Sequence, residues 1–97
     1  MRFKSLAATS ALAATFFVPV HAQTEIQWWH SMTGGLNDWV LDLTNGFNAS
    51  QKEYKIVPTY KGTYDETMPA AVAAFRAGTA PHILQVYEVG TATMMAA

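Results

Sequence analysis

The sequence predicts an α/β fold built on a parallel, doubly wound sheet, and three observations lead to it. Short apolar or alternating runs at Thr24 to Trp29, Tyr54 to Tyr60 and Ile83 to Tyr87 read as strands. Each is followed by residues with helical spacing, in units of about 30 residues, the length of a right-handed β–α–β crossover. The composition is globular, with 51% of the 97 residues hydrophobic and 13% charged, and it carries no internal repeat or low-complexity stretch.

The first 22 residues stand apart. Arg2 and Lys4 precede an uncharged run from Leu6 to Val18, then Pro19 and Val20-His21-Ala22. A basic start, an apolar middle and small residues before a cut make a secretory leader, expected to be removed after Ala22. The run is shorter than the about 20 apolar residues a membrane helix needs. Residues 23–97 then form the mature segment, exported to the periplasm. They hold four basic residues against seven acidic ones, a net charge of −3, which gives no footing for nucleic acid. There is no cysteine, so neither a disulfide framework nor a lipid-anchoring thiol is expected. Thr91 to Ala97 opens a helix with no stop signal, and the expectation is a truncated N-terminal segment of a larger lobe.

Along the mature segment, Ile26, Trp28 and Trp29 make Thr24 to Trp29 a first strand, and His30 to Gly35 a loop. Leu36, Trp39, Val40, Leu43 and Phe47 recur at helical spacing, so a helix follows to about Asn48. Tyr54 to Tyr60 is a second strand, and Pro58, which cannot donate to a ladder, places it at the sheet edge. The second helix is expected over roughly Thr67 to Ala77, because Pro69 is best tolerated in a first turn. Gly78 is placed to close it. Ile83 to Tyr87 is short and apolar between turn signals, as a buried parallel strand would be, and a third helix begins after Gly90. With the second strand at the edge, the strand order is 2-1-3.

In such sheets ligands sit beyond the carboxyl ends of the strands. That rule selects the loops His30 to Gly35, Lys61 to Asp65 and Glu88 to Gly90. Trp29, His30, Ser31, Tyr60, Lys61, Tyr64, Tyr87 and Glu88 gather there, a mixture of aromatic faces, hydroxyls and one carboxylate suited to a small polyol or sugar-like ligand. Glu88, directly after a strand, has few structural duties. Trp28 and Trp29 alternate sides, so only one of them can face a given cleft. His30 lacks company as a metal ligand, since His21 leaves with the leader and only His82 remains; no metal or cofactor is expected. Gly34-Gly35 opens a helix whose free amides would suit an anion. Lys61 and Arg76 read as solvated charges, and Met94 and Met95 as helix packing.

Three stretches go further: Trp28-Trp29-His30-Ser31-Met32; Tyr54 to Gly62 (Tyr-Lys-Ile-Val-Pro-Thr-Tyr-Lys-Gly) with Tyr64; and Phe75-Arg76-Ala77-Gly78-Thr79-Ala80-Pro81 running into Gln85-Val86-Tyr87-Glu88-Val89-Gly90-Thr91. Together they resemble the extracellular solute-binding proteins of ABC importers, in particular those for glycerol 3-phosphate. The resemblance implies a two-lobed, periplasmic-binding-protein-like fold that closes on glycerol 3-phosphate or a glycerophosphodiester and delivers it to an inner-membrane permease, without catalysis. It also implies that Tyr64 and Glu88 bind ligand and that a phosphate-binding Arg comes from later segments; Trp29 and His30, which the sheet-edge rule places beside them, are secondary candidates. Two other readings stay open on the residues alone. One is the same fold tuned to a sugar such as maltose. The other is a periplasmic hydrolase using His30, Ser31 and Glu88, for which the sequence has no nucleophile elbow or paired carboxylates.

Overall fold

The computed structural model describes residues 9–15 and 22–97. The expected leader, residues 1–22, falls largely outside them. From Thr24 the order is β1 (Thr24–His30), α1 (Gly35–Ser50), β2 (Tyr54–Tyr60), α2 (Tyr64–Arg76), β3 (Ile83–Leu84), a 3-10 turn (Glu88–Gly90) and α3 (Thr91–Ala96). The three strands form one parallel sheet in the order β2-β1-β3, as expected. A step from β1 to β2 and then back across to β3, with both crossovers of the same right hand that parallel units adopt, puts α1 and α2 on opposite faces. Trp29, Ser31 and Leu84 share the α2 face, where the Ser31 and Thr67 hydroxyls bond at 3.1 Å. Trp28, His30 and Tyr60 share the other.

The parity of the ladder explains why β2 can end the sheet. In a parallel pair alternate residues of a strand point their backbone groups at the partner. Thr24 N–H donates to Glu53 O and Lys61 N–H to His30 O, so odd residues of β2 face β1 and even ones face outward. Each outward position up to Pro58 is dealt with. The Gln51 amide accepts from Tyr54 N–H at 2.7 Å and donates to Tyr54 O at 2.6 Å. The Asn48 amide does the same for Ile56, at 2.8 and 2.9 Å. Pro58 has no N–H to leave bare. Two side-chain amides at the end of α1 and one proline therefore blunt the edge against another chain.

Four expectations need correction. The second helix starts at Tyr64, not near Thr67, because Thr63 is an N-cap: its Oγ1 accepts from Glu66 N–H at 3.3 Å and is itself held by donating to Glu66 Oε1 at 3.1 Å. Pro69 consequently lies beyond the first turn, and its missing bond falls to Asp65 O; both residues are exposed, so water can take that carbonyl. β3 is two residues long rather than five, and Ile83 (42%) and Val86 (38%) are exposed rather than buried. The chain leaves the sheet at Gln85, whose N–H still donates to Trp29 O but whose side-chain Oε1, not its carbonyl, accepts from Ser31 N–H. Among the described residues no strand lies beyond β3, so it is an edge strand; Leu84 is half-buried against α2 and α3 while Ile83 stays exposed. The stripe that α1 buries is narrow, running through Val40, Thr44 and Asn48 at intervals of four. Leu36, Trp39, Leu43 and Phe47, expected on an apolar face, are 42% to 58% exposed because α1 lies over β2 at the sheet edge. Finally, Leu36, Asn37 and Asp38 give their N–H groups to Thr33 and Gly34 carbonyls, so Gly34-Gly35 does not present the row of free amides an anion would need.

The close of α2 is as the sequence suggests. Gly78 adopts φ +74°, with its N–H on Phe75 O at 3.1 Å and Thr79 N–H on Ala74 O at 2.8 Å, the paired bonds of a Schellman motif.

The Asn48 latch yields a prediction. Asn48→Ala leaves the part-buried Ile56 N–H and carbonyl without partners and should cost about 1–3 kcal/mol, about two neutral hydrogen bonds. Chemical denaturation of the full-length protein measures it; an unchanged midpoint would show that water replaces the amide at no cost.

Candidate functional site

The carboxyl ends of the strands and the loops after them bring the sequence candidates into two groups. The first is built on Tyr87. Its ring lies parallel to that of Tyr64, at 5° between planes and 4.9 Å between centroids, and its hydroxyl donates to Asp65 Oδ1 at 2.7 Å. Tyr64 and Asp65 are the first residues of α2, so the Thr63 cap that starts the helix early also sets them opposite the end of β3. Glu88, the first residue of the 3-10 turn, follows Tyr87 directly and is exposed. Its charge reaches the Tyr87 hydroxyl. That hydroxyl is held above its ordinary value near 10 by the bond to Asp65, then by desolvation and by the charges of Asp65 and Glu88, so it stays a donor across physiological pH. Tyr64 thus stacks on the residue that Glu88 follows in the chain. Among the described residues neither the Tyr64 hydroxyl nor the Glu88 carboxylate engages in the hydrogen bonds that order their neighbours.

The second group separates Trp29 from His30. The Lys61 Nζ stands 4.3 Å over the Trp29 ring, a cation–π contact at the end of β2. His30 points to the opposite face and is 2% exposed, wedged between Trp28 and Tyr60 at centroid distances of 5.8 and 6.1 Å. Its Nδ1 accepts from Met32 N–H at 3.2 Å, which places the ring proton on Nε2 and fixes the turn after β1. His30 therefore serves the loop rather than the surface where Tyr64 and Glu88 lie.

Sequence reasoning set Tyr87 at this edge without giving it a task, and missed Asp65 as its partner. A Tyr ending a strand run and an Asp beginning a helix carry no joint signal until topology sets them together. It also missed that His82 and Gln85 extend the β1–β3 ladder with side chains, His82 Nδ1 accepting from Gln27 N–H at 2.9 Å and Gln85 Oε1 from Ser31 N–H at 3.0 Å. Among the described residues no group of His, Asp and Glu could hold a metal ion, and no helix is long and apolar enough to cross a membrane. An apolar groove of about 270 Å³ between α2, β3 and α3, lined by Ala71, Val72, Phe75, Leu84 and Met94, contains neither Tyr64 nor Glu88. Without a polar group converging on it, it lacks the placed hydrogen-bonding groups a hydroxylated ligand needs.

Comparison with known proteins is specific. The chain is 54% identical over 91 residues to the sn-glycerol-3-phosphate-binding periplasmic protein UgpB of Brucella suis biovar 1, a match over 94% of this chain and 21% of that protein. It is 58% identical over 86 residues to the protein of the same name from Yersinia pestis bv. Antiqua, covering 89% of this chain and 20% of the relative. The chain thus spans about a fifth of the length of the curated relatives it matches. No family model matches it.

The buried His30 gives a pH prediction. Desolvation lowers its pKa below the usual 6.5, so the folded chain resists a proton that the unfolded chain accepts. The stability this confers is complete above about pH 6.5 and is lost as pH falls from there toward the folded-state pKa. Melting temperatures between pH 8 and 5 should fall on the acid side, and His30→Phe should flatten that part of the curve. An unaltered acid limb in the variant would assign the effect to other groups.

Proposed function

We propose that this chain, a homologue of the sn-glycerol-3-phosphate-binding periplasmic proteins over nearly all its length, is part of the solute-binding component of a periplasmic ABC importer. Tyr64 and Glu88 form one wall of its site for glycerol 3-phosphate or a glycerophosphodiester, with the inner-membrane permease as acceptor. The observation that carries the reading is the arrangement around Tyr87: a tyrosine stacked on it and an exposed carboxylate next to it in the chain, at the carboxyl edge of a parallel sheet, in a chain 54–58% identical to proteins of that name.

The chemistry of these groups supports a division of labour. A carboxylate repels phosphate but accepts hydrogen bonds from hydroxyls, so Glu88 is suited to the glycerol end of the ligand. Tyr64 adds a hydroxyl and a ring edge. The phosphate then calls for cations from elsewhere, because the described edge offers a single one, Lys61, held against Trp29. Binding of this kind uses hydrogen bonds and shape, with no bond made or broken.

The hydrolase reading has less to support it. Ser31 Oγ is bonded to Thr67 Oγ1 at 3.1 Å and His30 Nδ1 to Met32 N–H at 3.2 Å, so each is occupied with a partner other than its supposed catalytic mate. The relatives are named as binding proteins.

In the full-length protein Glu88→Ala should weaken glycerol 3-phosphate by about tenfold to a hundredfold, the range for a charge-assisted hydrogen bond, while leaving any affinity for inorganic phosphate unchanged or improved. Tyr64→Phe should be milder, at about two- to tenfold. Titration by tryptophan fluorescence with glycerol 3-phosphate and with maltose provides the measurement. A maltose response in place of a glycerol 3-phosphate response would move the ligand to the sugars.

A further inference from the structure

We infer that Tyr87, tied at its hydroxyl to Asp65, is the positioning residue that holds Tyr64 and Glu88 in register for the ligand; this rests on the ligand site proposed above. Three contacts make Tyr87 the joint between two otherwise separate pieces of backbone. Its ring is stacked on Tyr64 at 4.9 Å, and its hydroxyl donates to Asp65 at 2.7 Å, so face and tip are both fixed to the first turn of α2. Its carbonyl accepts from Gly90 N–H at 3.0 Å, which closes the 3-10 turn that begins with Glu88. Gly90 lets the ring come this close: a Cβ there would stand 3.0 Å from Tyr87 Cε1 and 3.1 Å from Met68 Cε.

The consequence is geometric. Tyr64 belongs to α2 and Glu88 to the turn after β3, and Tyr87 is the side chain that touches the first and adjoins the second. A parallel stack with one hydroxyl anchored leaves the Tyr64 ring little freedom to tilt, whereas a stack alone leaves Tyr87 free to swing about its Cα–Cβ bond. The carboxylate of Asp65 is what removes that freedom. Tyr87 and Asp65 thus set how ready the site is before ligand arrives, and pre-ordering of this kind appears as affinity.

The test uses the full-length protein, calorimetric titration with glycerol 3-phosphate, and thermal unfolding of the same preparations. Tyr87→Phe keeps the ring and removes the anchor, and Asp65→Ala removes it from the other side. Each should weaken binding about three- to tenfold, and the double variant should lose no more than the stronger single one, because both cut one bond. Asp65→Asn, which keeps an acceptor oxygen, should retain most of the affinity. In a protein already carrying Tyr64→Phe and Glu88→Ala, Tyr87→Phe should change the affinity no further, since there is nothing left to position. If Tyr64→Phe and Glu88→Ala lose affinity while Tyr87→Phe and Asp65→Ala lower only the melting temperature, the inference is overturned and the ligand site stands. If Tyr64→Phe and Glu88→Ala bind normally, the ligand site itself falls and takes the inference with it.

Discussion

The backbone of β1 is hydrogen-bonded on both sides, and the placement of everything else follows from that. Its even residues face β2 along the whole strand, and its odd residues from Gln27 onward face β3 and the side chains that extend it, so the carboxyl half of β1 is committed along both edges. Parallel strands cannot be joined by a tight turn, and each crossover must carry a helix over the sheet. The chain therefore returns twice to the same end of β1, and the loops that open α1, α2 and the 3-10 turn are delivered to one edge. Residues as far apart as Tyr64 and Tyr87 meet there with their rings 4.9 Å apart because β1 lies between the strands that precede them.

A sheet this small is finished by side chains. Asn48 and Gln51 pair with the outward backbone of β2, and His82 and Gln85 prolong the ladder between β1 and β3 at its two ends. Each replaces a backbone partner that a wider or longer sheet would supply, and an amide or an imidazole does so at little cost in the unfolded state because it is already polar. Gln85 shows what the substitution achieves. By offering its side chain to Ser31 it frees the backbone to turn away, and that turn carries Tyr87 toward α2 and sets Glu88 at the start of a new element.

The parts of this arrangement that were legible in the sequence are those written in one or two residues. Pro58 announces an edge strand because it lacks a donor, and Gly78 announces a helix end because it can take φ +74°. The alternating runs mark β1 and β2 to within a residue. Where two local signals compete, the pattern is a weaker guide. Pro69 argues for a late start to α2, yet Thr63, bonded to Glu66, caps the helix four residues upstream of Thr67, and the cap prevails because the proline's lost bond faces water. The length of β3 was not legible, since an apolar run does not say where a side-chain oxygen will take over the ladder. The candidate site divides in the same way. Resemblance singled out Tyr64 and Glu88, whereas the Tyr87–Asp65 bond spans 22 residues of chain and emerges only from the topology.

Under the proposed function, Tyr64 and Glu88 read the glycerol end of the ligand at this edge. A crystal structure of the full-length protein with glycerol 3-phosphate tests it most directly. The Glu88 carboxylate and the Tyr64 hydroxyl are expected within hydrogen-bonding distance of the ligand's glycerol hydroxyls, with the phosphate turned away from Glu88 and Tyr87 still bonded to Asp65. A ligand bound with its phosphate against this edge, or bound without touching either residue, would contradict it.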